Sequence, residues 1–120
     1  MQVTRTLGGV TVVAEGDKFT DVFDQLAASE EVFQNSATCN CGHCSGTNLK
    51  WQVRDHDGDP YYEIVCQDCW AKFTFGVKKD KNAVANLFPH RKWGPTHPKA
   101  GEYIPKNGWK KYNKETQVEE

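Results

Sequence analysis

Two Cys-x-x-Cys pairs, Cys41-Gly42-His43-Cys44 and Cys66-Gln67-Asp68-Cys69, constrain this chain more than any other feature. Two intervening residues let a tight turn aim both sulfurs of a pair at one point, and Gly42 suits such a turn. The 21 residues between Cys44 and Cys66 are enough for a hairpin that brings the second pair back to the first. Four thiolates converging this way close a tetrahedral site whose usual occupant is Zn²⁺. The expected ligands are Cys41, Cys44, Cys66 and Cys69. The competing readings are disulfides, a redox pair and an iron–sulfur cluster. A redox Cys-x-x-Cys calls for a βαβ setting, which the flanking sequence lacks.

Cys39 brings the count to five cysteines, an odd number that fits four ligands plus one spare thiol in a reducing compartment. Cys39-Asn40-Cys41 lacks the two-residue loop, so Cys41 is the better ligand and Cys39 the spare. Replacement of one ligand by Cys39 or His43 stays open. The 120 residues suit a single domain, and 38% hydrophobic content allows only a modest core that a metal could staple. No apolar run approaches the ~18 residues of a membrane span. Residues 1–7 lack the basic start and apolar stretch of a signal peptide, so a cytoplasmic protein is expected.

Three segments follow from the pattern. Residues 1–38 read as a β-hairpin turning at Gly8-Gly9, then a helix over 20–33 capped by Asp17 or Thr20. Phe19, Val22, Phe23, Leu26 and Phe33 form its expected core face, with Asp21, Asp24, Glu30 and Glu31 toward water. Residues 39–80 read as knuckle, strand (48–54), polar turn (55–60), strand (61–65), knuckle and strand (71–77). Leu49, Trp51 and Val53 alternate with Lys50, Gln52 and Arg54, the period of a half-buried strand. Residues 81–120 have no sustained period and read as an irregular arm with a frayed acidic tail from Glu115. The expected fold is α+β: hairpin and helix packed with a four-cysteine ribbon, plus this arm, in one compact unit.

Residues 39–77 resemble a zinc ribbon, a likeness covering about a third of the chain and specific for fold rather than activity. The wider layout is similar to small zinc-ribbon proteins encoded by bacteriophages and prophages. The residues that carry the likeness are the leading hairpin and helix, Tyr61-Tyr62-Glu63, Phe75-Gly76, Leu87-Phe88-Pro89 and Gly108-Trp109. It implies a setting in the host cytoplasm and no particular activity.

Asp55-His56-Asp57-Gly58-Asp59 is not an EF-hand loop, because glycine is fourth and Cys66 stands twelfth. Asp55-His56 is similar to the start of an HNH nuclease motif, but no asparagine lies between Asp55 and Cys69. A polar hairpin turn is the simpler reading. A zinc deaminase would need His-x-Glu and Pro-Cys-x-x-Cys, and neither is present. No catalytic residues are expected.

Charge is uneven within a net −1. Residues 1–38 carry Arg5 and Lys18 against six acids, whereas residues 81–114 carry Lys81, Arg91, Lys92, Lys99, Lys106, Lys110, Lys111 and Lys114 against Glu102 alone. Cations neutralise phosphates, and flat aromatic rings stack on unpaired bases. The residues expected to bind nucleic acid, single-stranded DNA in particular, are Lys78, Lys79, Arg91, Lys92, Trp93, Trp109, Lys110, Lys111 and Tyr112. The alternative is that Phe88, Trp93 and Trp109 fold back to complete the core. Two rival functions remain: an adaptor or inhibitor docking on a nucleic-acid or defence enzyme, favoured by the acidic helix, and an HNH-like nuclease using His56.

Overall fold

The computed structural model describes residues 1–34, 37–41, 44–80, 82 and 86–120; Gly42 and His43 of the first knuckle, and Lys81, lie outside the described residues. The protein is α+β, as its sequence predicts. The chain divides into two compact units: residues 1–37 with 77–88, and residues 38–76 with 89–120. Among the described residues no helix is long and apolar enough to cross a membrane.

In the first unit, Gly8 and Gly9 adopt φ of 51° and 80°, the left-handed values that a two-residue hairpin turn requires. They join β1 (Gln2–Leu7) to β2 (Val10–Glu15) in a register running from Gln2 opposite Glu15 to Leu7 opposite Val10. The helix α1 (Phe19–Phe33) begins one residue earlier than the pattern predicts. Its start is held by Asp21, whose Oδ2 accepts the Lys18 N–H at 3.2 Å, rather than by Asp17 or Thr20. The Gln25 side chain accepts the Glu15 N–H at 3.0 Å and ties α1 to β2.

The buried face of α1 differs from the expected one. Val22 and Val32 are buried beside Leu7 and Ala14, whereas Phe19 and Phe23 are 81% and 73% exposed. A two-stranded ribbon offers one helix a narrow contact. Val22 and Val32 are buried in it, Leu26 and Phe33 are half-buried, and Phe19 and Phe23 at the helix start are left outside.

In the second unit, β3 (Leu49–His56) and β4 (Asp59–Cys66) turn at Asp57 and Gly58, both at positive φ. The strands therefore continue through most of the polar stretch expected to be loop. β5 (Lys72–Val77) pairs antiparallel with β4, setting Ile64 opposite Phe73 and Tyr62 opposite Phe75. With β6 (Leu87–Pro89) the sheet order is β3-β4-β5-β6. Ile64, Phe73 and Phe75 are buried, but on the edge strand β3 Trp51 and Val53 face solvent. Gln52 lies inward instead, and its Nε2 donates to Glu63 at 2.7 Å. Arg54 donates to the same carboxylate oxygen at 3.2 Å. These two bonds compensate part of the cost of burying an acid in the sheet.

Residues 86–120 are ordered where a loose arm and frayed tail are expected. Lys72 and Lys110 exchange backbone bonds of 2.8 and 3.0 Å, and Ile104 N–H donates to Arg91 O at 2.7 Å. The tail folds as a hairpin of β7 (Tyr112–Asn113) and β8 (Val118–Glu119), closed by reciprocal 2.8 Å bonds between Lys111 and Glu120. Trp93, Ile104 and Trp109 are buried and complete the core. Gly108 allows this approach: at φ +92° a Cβ there would meet the His90 carbonyl and the Phe73 ring at 2.9 Å.

Candidate metal centre and the cavity beside it

The hairpin β3–β4 returns the chain so that Cys66 lies opposite Leu49, a few residues from the first cysteines. The second knuckle then turns tightly: Trp70 N–H donates to Cys66 O and Cys66 N–H to Ala71 O, both at 2.8 Å. On the other side, Cys39 N–H donates to Gly46 O at 2.9 Å and closes a loop around the first knuckle.

The thiols of Cys39, Cys44, Cys66 and Cys69 converge, with all four sulfurs within 4.8 Å of one another, and this group can hold one metal ion. Cys39 Sγ is 3.6 Å from Cys69 Sγ, and Cys44 Sγ is 3.7 Å from Cys66 Sγ. Zinc–thiolate bonds of about 2.3 Å in a tetrahedron place sulfurs about 3.8 Å apart, so the donor set fits that ion in kind and spacing.

Membership differs from the expected set by one residue. Cys39 stands in the group where Cys41 was predicted, because the Cys39–Gly46 bond folds the chain back ahead of the knuckle. Cys41 has not left the neighbourhood. Its Sγ is 3.6 Å from Cys44 Sγ and accepts the Cys44 N–H at 3.3 Å.

Electrostatics separate the thiols. Burial pushes the Cys39 thiol strongly up and that of Cys69 up to about 11. Burial also acts on Cys66, but backbone N–H groups of Cys69 and Asp68 aimed at its sulfur outweigh it and hold that thiol below the usual range. Donors fixed on a sulfur stabilise the anion that a metal requires.

A cavity of about 800 Å³ opens against this centre. Cys41 and Cys69 form one wall, and Lys106, Lys110, Lys111 and Lys114 bring four cations to its lining. Trp70 and Tyr112 are 69% and 53% exposed at this cavity. Trp70 holds φ of +66°, a left-handed conformation that costs a residue with a Cβ about 1–2 kcal/mol. Glu115 and Glu120 also line it and oppose two of those charges.

Of the residues expected to bind nucleic acid, Lys110, Lys111 and Tyr112 line this cavity. Trp109 lines it too but is 0% exposed, packed on Phe73 at 5.8 Å between ring centres, and has no face for a base. Trp93 is buried and stacked on His97 at 3.9 Å. Arg91 is occupied by Asn107 O at 2.8 Å, and Lys92 lies over the Tyr103 ring at 5.0 Å. Lys78 and Lys79 belong to the first unit. Burial, partly offset by the Glu119 and Glu63 carboxylates, holds the Lys110 ammonium below its usual range.

The cavity lining also holds Lys106 and Lys114, which the sequence marks only through the basic balance of residues 81–114, and Trp70, which lies outside the expected set. The one available signal for Trp70 was the residue itself, a bulky one directly after a knuckle, where the chain turns left-handed. His56 is exposed at the tip of β3, in a hairpin beside Asp57 at 3.5 Å. No protein family, curated protein or solved structure matches the chain.

Proposed function

We propose that the thiol cluster holds one structural Zn²⁺ and that the lysine-lined cavity beside it binds single-stranded nucleic acid, DNA in preference. The observation that carries the reading is Trp70. A large ring kept exposed in a strained backbone conformation, beside Tyr112 and four lysines, is a stacking platform next to an electrostatic track. Zinc here is a staple. Four thiolates leave no open position for a catalytic water, so the protein acts by binding and not as an enzyme. The residues similar to phage and prophage zinc-ribbon proteins support a role in the host cytoplasm.

Titrating labelled oligothymidylate at two salt concentrations tests this. Each phosphate neutralised on a single strand contributes about 0.7 to the slope of log affinity against log salt. Lys111→Ala with Lys114→Ala should flatten that slope and weaken all sequences alike. Trp70→Ala should cost about 1–3 kcal/mol of binding with the melting temperature little changed. Absence of saturable binding by the wild type at low salt sinks the reading.

One observation favours an adaptor instead. Phe19 and Phe23, one helical turn apart and exposed, stand among Asp21 and Asp24 and would suit a partner segment with apolar and basic residues. On that reading Phe19→Ala with Phe23→Ala leaves stability within about 0.5 kcal/mol, as surface changes do, and abolishes capture of such a segment. Unchanged capture removes this second reading.

A further inference from the structure

Five thiols crowd a site that a tetrahedral ion can fill with four. Cys39, Cys44, Cys66 and Cys69 have mutually close sulfurs. Cys41 Sγ lies 3.6 Å from Cys44 Sγ, the same spacing that separates Cys39 from Cys69. It also accepts the Cys44 backbone N–H at 3.3 Å, the kind of bond that stabilises a metal-bound thiolate. Gly46 N–H serves Cys44 in the same way at 3.4 Å. Cys41 thus borders the group through Cys44, whereas Cys39 completes the set of mutually close sulfurs. Both residues are buried, and one residue separates them in sequence.

We propose that Cys39 and Cys41 are interchangeable ligands, each able to complete the site with Cys44, Cys66 and Cys69. The inference rests on the reading of the cluster as a zinc site. Exchange moves one metal–sulfur bond. The incoming thiol gives up its proton as its sulfur binds, and the departing thiolate takes a proton up, so charge and oxidation state are unchanged. The site keeps its metal when either thiol is lost to alkylation or oxidation.

Cys39→Ser, Cys41→Ser and the double variant test this in the full chain. Metal content is measured on zinc-loaded protein, and the thiolate-to-metal charge-transfer band is measured after cobalt replaces zinc. Each single variant should hold one zinc per chain, with a cobalt band as intense as that of the wild type, because four thiolates still bind. The double variant should bind zinc at least ten-fold more weakly, with a band reduced to that of three thiolates. A single variant with the reduced band identifies a fixed ligand and overturns the proposal, as does a double variant with the full band. The band counts thiolates directly, so a partly destabilised variant still gives an answer. Failure of the underlying reading looks different: the wild type itself then holds no zinc and shows no charge-transfer band.

Discussion

Cys66→Ser should leave the protein without bound metal and with its second unit unfolded. Cys66 is wholly buried, lies within the four-sulfur group and receives backbone donors that favour its thiolate. A structural zinc of this class contributes on the order of 10–16 kcal/mol of folding free energy. A whole domain is stable by only about 5–15 kcal/mol, so loss of the site exceeds what the small core can offset. Metal content by atomic emission and the thermal melt followed by circular dichroism report the two effects. A metal-free variant that keeps a cooperative melt near the wild-type temperature would falsify the structural role.

Trp109→Ala should destabilise the protein by about 3–5 kcal/mol, the range for deleting a large buried ring. Trp109 is the largest of the fully buried side chains and packs on Phe73 beside the Lys72–Lys110 backbone bridge. The loss is a cavity at the centre of the second unit, read from the midpoint of chemical denaturation. Oligonucleotide affinity, measured where the variant is still folded, should stay within a few fold of the wild type. Trp70→Ala should do the reverse. A Trp109→Ala variant of normal stability and lost affinity would move the binding platform from Trp70 to Trp109.

The elements governed by local chemistry were legible in the sequence. Gly8-Gly9 announces its turn, the alternation of Phe73 and Phe75 gives the inner face of β5, and the cysteine spacing gives a ribbon with a clustered donor set. What stayed hidden depends on partners distant in sequence. Helical periodicity assigned Phe19 and Phe23 to the core, but the width of the ribbon beneath α1 decides which row it covers. Trp109 carried the same aromatic signal whether it served a ligand or the core, and Gly108 beneath Phe73 settled it. Cys39 was set aside on spacing alone. The backbone bond to Gly46 that brings it inward cannot be seen in a motif. The C-terminal hairpin escaped because strands of two residues are too short to show a period.

The interleaving of the two units bears on how the chain can be cut. The first unit takes residues 1–37 and borrows 77–88 from the far side of the ribbon. A terminal truncation at residue 38 therefore gives no clean separation. The shorter piece loses its borrowed segment, and the longer one keeps that segment without residues 1–37. The geometry offers an internal excision instead. β5 and β6 are adjacent strands, and Lys78 N–H donates to Asn86 O at 2.7 Å, so residues 78 and 86 form a narrow gate. A tight turn replacing residues 79–85, together with removal of residues 1–37, would isolate the metal centre and its cavity on a single minimal scaffold. Grafting any other domain into the same gate would leave both knuckles and the C-terminal hairpin in place.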